Sequence, residues 1–219
     1  MFDLVEDLEN TLIIEGEEYK FDLSFDVVIR FYELLEDKNL KSFEKINKAF
    51  DLFYFDAKAP ISDFTFEQKQ AAIEEISNYI QKCPYGNNNN DQESGDTVPE
   101  KLYSYSQDAG AIYSSFLADY GIDLLKEKGR MHFITFKNLL FGLSENTHFQ
   151  RILSIRSRSI NGLEGEALTN LLELQEYYAL DSEKTVNNLD NQLGSMFDML
   201  AAQAKNRKEV IKECLQMRR

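Results

Sequence analysis

The residues best suited to metal chemistry are few in this chain, and they lie far apart. His132 and His148 are the only histidines, and Cys83 and Cys214 are the only cysteines. A zinc site would need further ligands, and neither cysteine lies at the spacing of a zinc-binding motif. We therefore expect the two histidines to be packing or surface residues, and we predict no metal site.

Catalytic and nucleotide-binding motifs are also missing from the sequence. The oxygen-rich stretch 87–96 does not fit an EF-hand, because a loop that began at Asn87 would place Gln92 where glycine is required and Val98 where the bidentate glutamate belongs. No glycine-rich phosphate loop, nucleophile elbow or zinc-protease motif occurs. Nothing in the sequence selects one carboxylate pair for acid–base catalysis. The sequence predicts no catalytic residue, no cofactor and no enzymatic activity.

Three arginines form a small basic group in a strongly acidic chain. The chain contains 38 Asp and Glu against 24 Lys and Arg, which gives a net charge of −14. Arg151 and Arg158 are separated by two helical turns and could share one face with room for an acidic partner. Arg151, Arg156 and Arg158 could instead form ion pairs with carboxylates of the same chain. Both interpretations are open at the level of sequence.

Composition and charge favour a folded cytoplasmic protein. The 219 residues are 43 % hydrophobic, which is enough to bury a core. A net charge of −14 disfavours binding to nucleic acid or to anionic membranes. Residues 1–7 are acidic, unlike a secretory signal, and no stretch approaches the roughly 20 apolar residues that span a bilayer. Two distant cysteines are typical of a reducing compartment.

The hydrophobic periodicity predicts a mainly α-helical bundle with a small N-terminal β-hairpin. Residues 11–23 contain two runs rich in β-branched and aromatic residues, and Gly16 between them can take the positive φ of a tight turn. Helices are expected after Ser24, after Ser42, where Phe43 should be buried, and after the capping box of Thr65 and Gln68. Further helices are expected near residues 109–120, 130–141, 147–157 and 164–180. Leu117 and Leu172 belong to the apolar faces of the first and last of these, and Gly121 should end the first.

A change of composition divides the chain into segments. Residues 84–100 contain four consecutive Asn, two Gly and two Pro, which predicts a flexible linker or surface loop. The predicted segments are a hairpin with helices at 1–83, the linker at 84–100, a helical region at 101–181 that packs with the first, and a C-terminal amphipathic helix at 182–219.

The C-terminal segment 182–219 has an apolar stripe at heptad spacing. It contains no proline and only one glycine, Gly194, and its register is interrupted at 203–207 and resumes at Val210. The stripe consists of Val186, Leu189, Leu193, Met196 and Leu200. A long helix of this kind must bury its stripe, either by folding back onto its own body or by packing against a partner helix. The sequence leaves both options open.

The order of residues in 101–160 is the most distinctive feature of the chain. It combines the run 101–109, the aromatic runs 112–116 and 120–124, the segment 132–143 and the segment 149–156. Together with the hairpin at 16–19 and the segments 25–35 and 49–54, it resembles a family of small proteins from long-tailed bacteriophages and prophages of Gram-positive bacteria. The resemblance covers roughly residues 10–180, although the family often has tryptophan where this chain has Phe133 or Phe136.

Genes of that family lie just upstream of the tape-measure gene, and the family is usually assigned to tail assembly. The resemblance implies a tail assembly chaperone that binds and solubilises the tape-measure protein during tail morphogenesis in the cytoplasm of the bacterial host. It also implies self-association and names the tail-tube protein as a further candidate partner. An exposed helical rod such as a tape measure has apolar patches that aggregate unless they are covered.

The stripe and the basic group are the candidate partner-binding residues under this interpretation. They are Val186, Leu189, Leu193, Met196, Leu200, Arg151, Arg156 and Arg158. Two other functions are open. The protein could be a minor structural component that stays in the virion, or an acidic inhibitor that mimics nucleic acid, although its acidic runs are short and interspersed with lysine.

Overall fold

Two strands and eight α-helices make up the part of the chain that the structure, a computed structural model, describes. That part comprises residues 8–82 and 102–216, with side chains described up to Asn206 except at position 183. The strands are β1 (Thr11–Ile14) and β2 (Glu17–Lys20). The helices are α1 (Phe25–Glu36), α2 (Ser42–Phe53), α3 (Phe66–Gln81), α4 (Ala109–Tyr120), α5 (Phe133–Phe141), α6 (His148–Ser157), α7 (Gly165–Tyr177) and α8 (Val186–Gln216). The mainly α prediction with an N-terminal hairpin is confirmed, and the predicted linker 84–100 lies outside the described residues.

The hairpin is held in place by the end of α2. Strands β1 and β2 pair antiparallel, with Thr11 opposite Lys20 and Ile14 opposite Glu17. Gly16 takes the expected positive φ of 87°, and Glu15 before it also has a positive φ, of 52°, as a two-residue hairpin turn of type I′ requires. Beyond β2, the Asp22 N–H donates to the Phe53 carbonyl at 2.7 Å. This attachment matters because an isolated two-stranded sheet is only marginally stable.

The starts of the first three helices follow the sequence signals with two differences, at Ser24 and at Ser42. The Thr65 hydroxyl accepts from the Gln68 N–H at 3.3 Å, and the Gln68 side chain accepts from the Thr65 N–H at 2.7 Å, so the predicted capping box is confirmed. Ser24 does occupy the N-cap of α1, but its hydroxyl makes no capping hydrogen bond and is buried without any hydrogen-bond partner. The N-cap of α2 is Lys41, one residue before the expected Ser42.

The core is built mainly from phenylalanine. Phe136 of α5 stacks on Phe116 of α4, with ring centroids 5.2 Å apart, and on Phe25 of α1, at 5.0 Å. The fully buried phenylalanines are Phe21, Phe31, Phe50, Phe53, Phe116, Phe133, Phe136 and Phe149. One hydrophobic cluster therefore includes side chains from both sides of residues 83–101, with the mutual attraction of offset and edge-on rings added to their burial.

Some predicted apolar faces are wider than the faces that pack. Phe43, expected to be buried, is 49 % exposed, because the packed face of α2 begins one turn later at Ile46. Leu117 of α4 and Leu172 of α7 are likewise exposed. Leu171 is the one buried residue of α7, and this helix packs mainly on α6. Periodicity marks which side of a helix is apolar, but the depth of burial depends on the neighbouring elements.

Candidate partner-binding surface

The apolar stripe of α8 packs into the core of its own chain. The exposed fractions of Val186, Leu189, Leu193 and Met196 lie between 1 and 6 %, and Leu200 packs against the core while partly buried. The helix lies against α1 and α3. Of the two options that the sequence left open, α8 thus takes the fold-back option from 186 to 200. Burial within the chain accounts for the stripe, which is then no longer evidence for a partner-binding surface.

Phe197 belongs to the same buried face, with an exposed fraction of 8 %, and the heptad pattern missed it. Heptad spacing alternates steps of three and four residues and continues from Leu193 to Met196. A straight α-helix with 3.6 residues per turn also brings the residue four positions after Leu193 onto this face. The wider stripe could have been found by testing the sequence against the 3.6-residue period as well as the heptad.

Polar contacts fix the register of α8 on the body. The Val186 N–H donates to the Tyr103 carbonyl at 2.9 Å, and the Tyr32 hydroxyl donates to Asp190 Oδ1 at 2.7 Å. The ring of Tyr105 lies between Tyr32 and Tyr103, with centroids at 5.2 and 5.5 Å. Burial raises the pKa of the Tyr32 hydroxyl well above its usual value, and the adjacent Asp190 carboxylate raises that pKa further. No local sequence signal predicts this contact, because its partners are 158 residues apart.

A cleft of about 430 Å³ runs between α8 and the start of α2. Its apolar lining consists of Leu35, Leu40, Leu193, Met196 and Met199. Amide and hydroxyl groups of α8 also line it, from Asn188, Asn191, Gln192 and Ser195. Lys45 lines one end, where its ammonium donates to the Leu35 carbonyl, and burial lowers the pKa of Lys45. A cleft with both apolar and amide side chains in its lining is suited to a peptide segment rather than to an ion.

Beyond Leu200, the described part of α8 carries no buried side chain. Residues 201–206 are all exposed, on every face of the helix, and the helical backbone continues to Gln216. The helical portion 201–216 would span about 24 Å at 1.5 Å per residue. Residues 201–219 contain six basic and two acidic side chains, in a chain with a net charge of −14. The end of the chain therefore carries the opposite charge to the body.

The structure separates the three candidate arginines. Arg156 is buried, and its Nη1 and Nη2 atoms donate to the two carboxylate oxygens of Asp108 at 2.8 and 2.7 Å. Its Nε atom donates to the Tyr178 carbonyl at 2.7 Å, and Nη1 donates also to the Leu102 carbonyl at 3.1 Å. Arg151 and Arg158 are exposed on α6 and its C-cap. The internal ion-pair interpretation is thus correct for Arg156, while Arg151 and Arg158 face solvent.

The histidines take structural and surface positions. His132 is the N-cap of α5, where its Nδ1 accepts from the Ile134 N–H at 3.1 Å, and His148 is the exposed first residue of α6. Among the residues that the structure describes, no three His, Cys, Asp or Glu side chains are grouped so that they could hold a metal ion. No helix in those ranges combines the length and apolarity needed to span a membrane. Cys83 and the side chain of Cys214 lie outside the description.

Comparison with known proteins gives one family. The chain matches the family model described as "Bacteriophage Gp15 protein" over residues 4–180. Neither a curated protein nor a solved structure matches the chain. The match includes the hairpin and helices α1 to α7 and ends before α8 begins. The helix that supplies five buried side chains to the core therefore lies outside the matched region.

Proposed function

The chain belongs to the bacteriophage Gp15 protein family, and we propose that it is a non-enzymatic tail assembly chaperone that binds and solubilises the tape-measure protein in the cytoplasm of the bacterial host. The observation that carries the proposal is the family match over residues 4–180. The residue order of 101–160 supports the same lineage, because it resembles proteins encoded just upstream of the tape-measure gene.

The charge and surface of the chain are consistent with such a role. A chaperone of this kind has to cover apolar patches of a long helical partner and keep the complex in solution. A net charge of −14 opposes aggregation of the complex. The cleft beside α8 offers apolar contact, and Met199 in its apolar lining is 55 % exposed. We assign the first contact with the partner to this cleft, because it is accessible without any rearrangement of the core.

Co-expression with the tape-measure protein tests the proposal. Met199→Glu places a charge in the cleft, and Leu125→Glu is its matched control, because Leu125 is 62 % exposed and does not line the cleft. We expect the unmodified chain and the Leu125→Glu variant to keep the tape measure soluble and to co-purify with it. The Met199→Glu variant should lose most of both effects, and its circular dichroism should show an unchanged fold.

A failure of the unmodified chain to bind or solubilise the tape measure would refute the chaperone role. Peptide mass analysis of purified virions then distinguishes the main alternative, because a structural component is present there in stoichiometric amount. A truncation at residue 181 is not a suitable test, since it removes five side chains of the core, namely Val186, Leu189, Leu193, Met196 and Phe197. Self-association, which the family resemblance also implies, can be measured in the same preparations by light scattering.

A further inference from the structure

We propose that the groove beneath residues 186–200 is a binding site for an amphipathic helix of the partner, and that α8 is its exchangeable occupant within the chain. The identity of the partner, a helical segment of the tape-measure protein, rests on the proposed function. The groove itself rests on the contacts of α8. Its walls come from α1, α3 and residues 103–105, all within the family-matched region.

The side chains of α8 that fill the groove indicate which helices can bind there. Counting Val186 as position 1, the buried apolar side chains stand at positions 1, 4, 8, 11 and 12. The Tyr32 hydroxyl is buried and donates to the carboxylate at position 5, Asp190. An occupant without an acceptor at that position would leave the hydroxyl unpaired, which is costly in a buried site. The groove therefore selects an amphipathic helix with a carboxylate or amide oxygen one residue after its second apolar position.

The first turn of α8 is capped partly by Thr185, the residue just before the helix, and partly by the body. Thr185 Oγ1 accepts from the Asn188 N–H at 3.2 Å, which satisfies one of the free donors of the first turn. The Val186 N–H, another such donor, binds the Tyr103 carbonyl at 2.9 Å. Any helix has free N–H groups in its first turn, so an incoming helix can make the same bond to Tyr103.

The groove is open along one edge. Leu35, Leu193 and Met196 belong to the core and also line the cleft beside α8. A partner helix that enters the cleft therefore touches Leu35 of α1 and, beside it, the buried side chains Leu193 and Met196 of α8 itself. On the other side, α8 is joined to α7 by a short segment in which Ala179, Asp181 and Ser182 are exposed. Residues 201–206 have no buried side chain, so they contribute no apolar burial that would keep α8 in the groove.

Exchange can be measured on the full chain with a protease site inserted between Asp181 and Ser182, both of which are exposed. After cleavage, a fluorescent synthetic peptide of residues 182–216 is added in excess, and its incorporation is followed by anisotropy. We expect the labelled peptide to replace the cleaved α8 while the circular dichroism of the body stays unchanged. A peptide with Leu189→Asp and Leu193→Asp should not be incorporated.

Two further peptides test the polar contact. An Asp190→Asn peptide keeps an oxygen acceptor for Tyr32, and an Asp190→Leu peptide removes it. We expect the Asp190→Leu peptide to bind at least about tenfold more weakly than the Asp190→Asn peptide. Equal affinities would overturn the assignment of Tyr32 as the selecting group. Absence of incorporation in hundredfold excess of the original peptide, or unfolding of the body in its presence, would overturn the groove proposal.

The partner is tested separately from the groove. Synthetic helical segments of the tape-measure protein are added as competitors of the labelled peptide, and a competing segment supports the full proposal. If residues 182–216 exchange but no tape-measure segment competes, the groove stands and its assignment to the tape measure is wrong. If the tape measure co-purifies with the chain but the peptide does not exchange, the chaperone role stands and the groove proposal is wrong.

Discussion

At the scale of single residues, Arg156 links parts of the fold rather than forming a binding patch. Its planar guanidinium contacts the Asp108 carboxylate and the carbonyls of Leu102 and Tyr178. One side chain thus connects α6 to the residues before α4 and to the end of α7. Lysine could not replace it, because a single ammonium cannot reproduce a paired contact with a carboxylate and two further directed bonds.

Replacing Arg156 by alanine should destabilise the protein strongly. The substitution leaves the buried Asp108 carboxylate without its partner, which costs about 3–5 kcal/mol of unfolding free energy. Arg151→Ala and Arg158→Ala are the matched controls, and we expect each to change that free energy by less than about 0.5 kcal/mol because both side chains are exposed. Urea unfolding measures all three. Equal, small effects would show that the ion pair does not stabilise the fold.

His132 makes a contact that depends on its protonation. Its Nδ1 accepts from the Ile134 N–H, and its Nε2 therefore carries the proton that is donated to the Glu9 carbonyl at 3.1 Å. Burial lowers the pKa of His132, and the hydrogen bond to Glu9 and the charge of Asp22 oppose this shift. Protonation of Nδ1 would remove the acceptor that caps α5. The folded state consequently favours the neutral imidazole.

The lowered pKa of His132 predicts a loss of stability on the acid side. In the unfolded chain the imidazole has a pKa of about 6.5, so the unfolded state takes up the proton first as the pH falls. The contribution of His132 is complete above that pH and decreases below it. We expect the unfolding free energy to fall more steeply from pH 7 to 5 in the original chain than in His132→Asn, whose amide oxygen can still cap the helix. Parallel pH profiles would contradict this assignment.

At the scale of elements, α8 consists of two parts that differ in burial. Up to Leu200 it is a core helix with a buried stripe, and from 201 onward its described side chains are all exposed. An isolated helix of about 16 residues is marginal in water, because nucleation is unfavourable. The packed first half removes the nucleation cost for the second half, since it supplies an already formed helix from which the later turns continue.

Substitutions on the two faces of α8 should differ sharply. Leu193→Ala removes a fully buried side chain, and we expect a loss of about 2–5 kcal/mol in unfolding free energy. Met199→Ala, in the lining of the cleft, should change the unfolding free energy by less than about 0.5 kcal/mol. Chemical denaturation of the two variants measures the difference. A small effect of Leu193→Ala would mean that the stripe is not packed in solution.

Two glycines of the helices should respond to alanine in opposite directions. Gly194 is exposed within α8, and a Cβ there would meet no atom within 4 Å, so Gly194→Ala should stabilise by about 0.5–1 kcal/mol through helix propensity. Gly121 ends α4 with a φ of 67°, a conformation that costs alanine about 1 kcal/mol or more. Thermal unfolding should therefore show a higher midpoint for Gly194→Ala and a lower one for Gly121→Ala.

At the scale of the whole molecule, the sequence predicted the elements better than their contacts. The hairpin turn at Gly16, the Thr65 capping box and the stop at Gly121 are local signals, and the structure confirms them. The stripe of α8 indicated burial but not the surface that buries it, because amphipathicity carries no information on the partner element. The Tyr32–Asp190 contact joins residues 158 positions apart, and a single sequence contains no signal for such a pairing.

Removal of α8 should abolish cooperative folding, whereas removal of residues 201–219 should not. A chain that ends at Asp181 lacks five core side chains, and burial of each contributes about 1.5–3 kcal/mol. Their sum, roughly 10 kcal/mol, is comparable to the whole stability of a typical domain. A chain that ends at Leu200 keeps all five, and we expect its thermal midpoint to stay within a few degrees of the original. Calorimetry distinguishes the two truncations.

The distance along the chain between Tyr32 and Asp190 has a consequence during protein synthesis. A ribosome that adds about 5–20 residues per second needs roughly 10–30 s to pass from one residue to the other. In the later part of that time, after residue 105 has been added, all walls of the groove have been synthesised but α8 has not. The nascent chain then lacks the five core side chains of α8, and the apolar side chains of those walls have no helix to cover them. A partner helix made nearby at the same time would meet these side chains before α8 could compete for them.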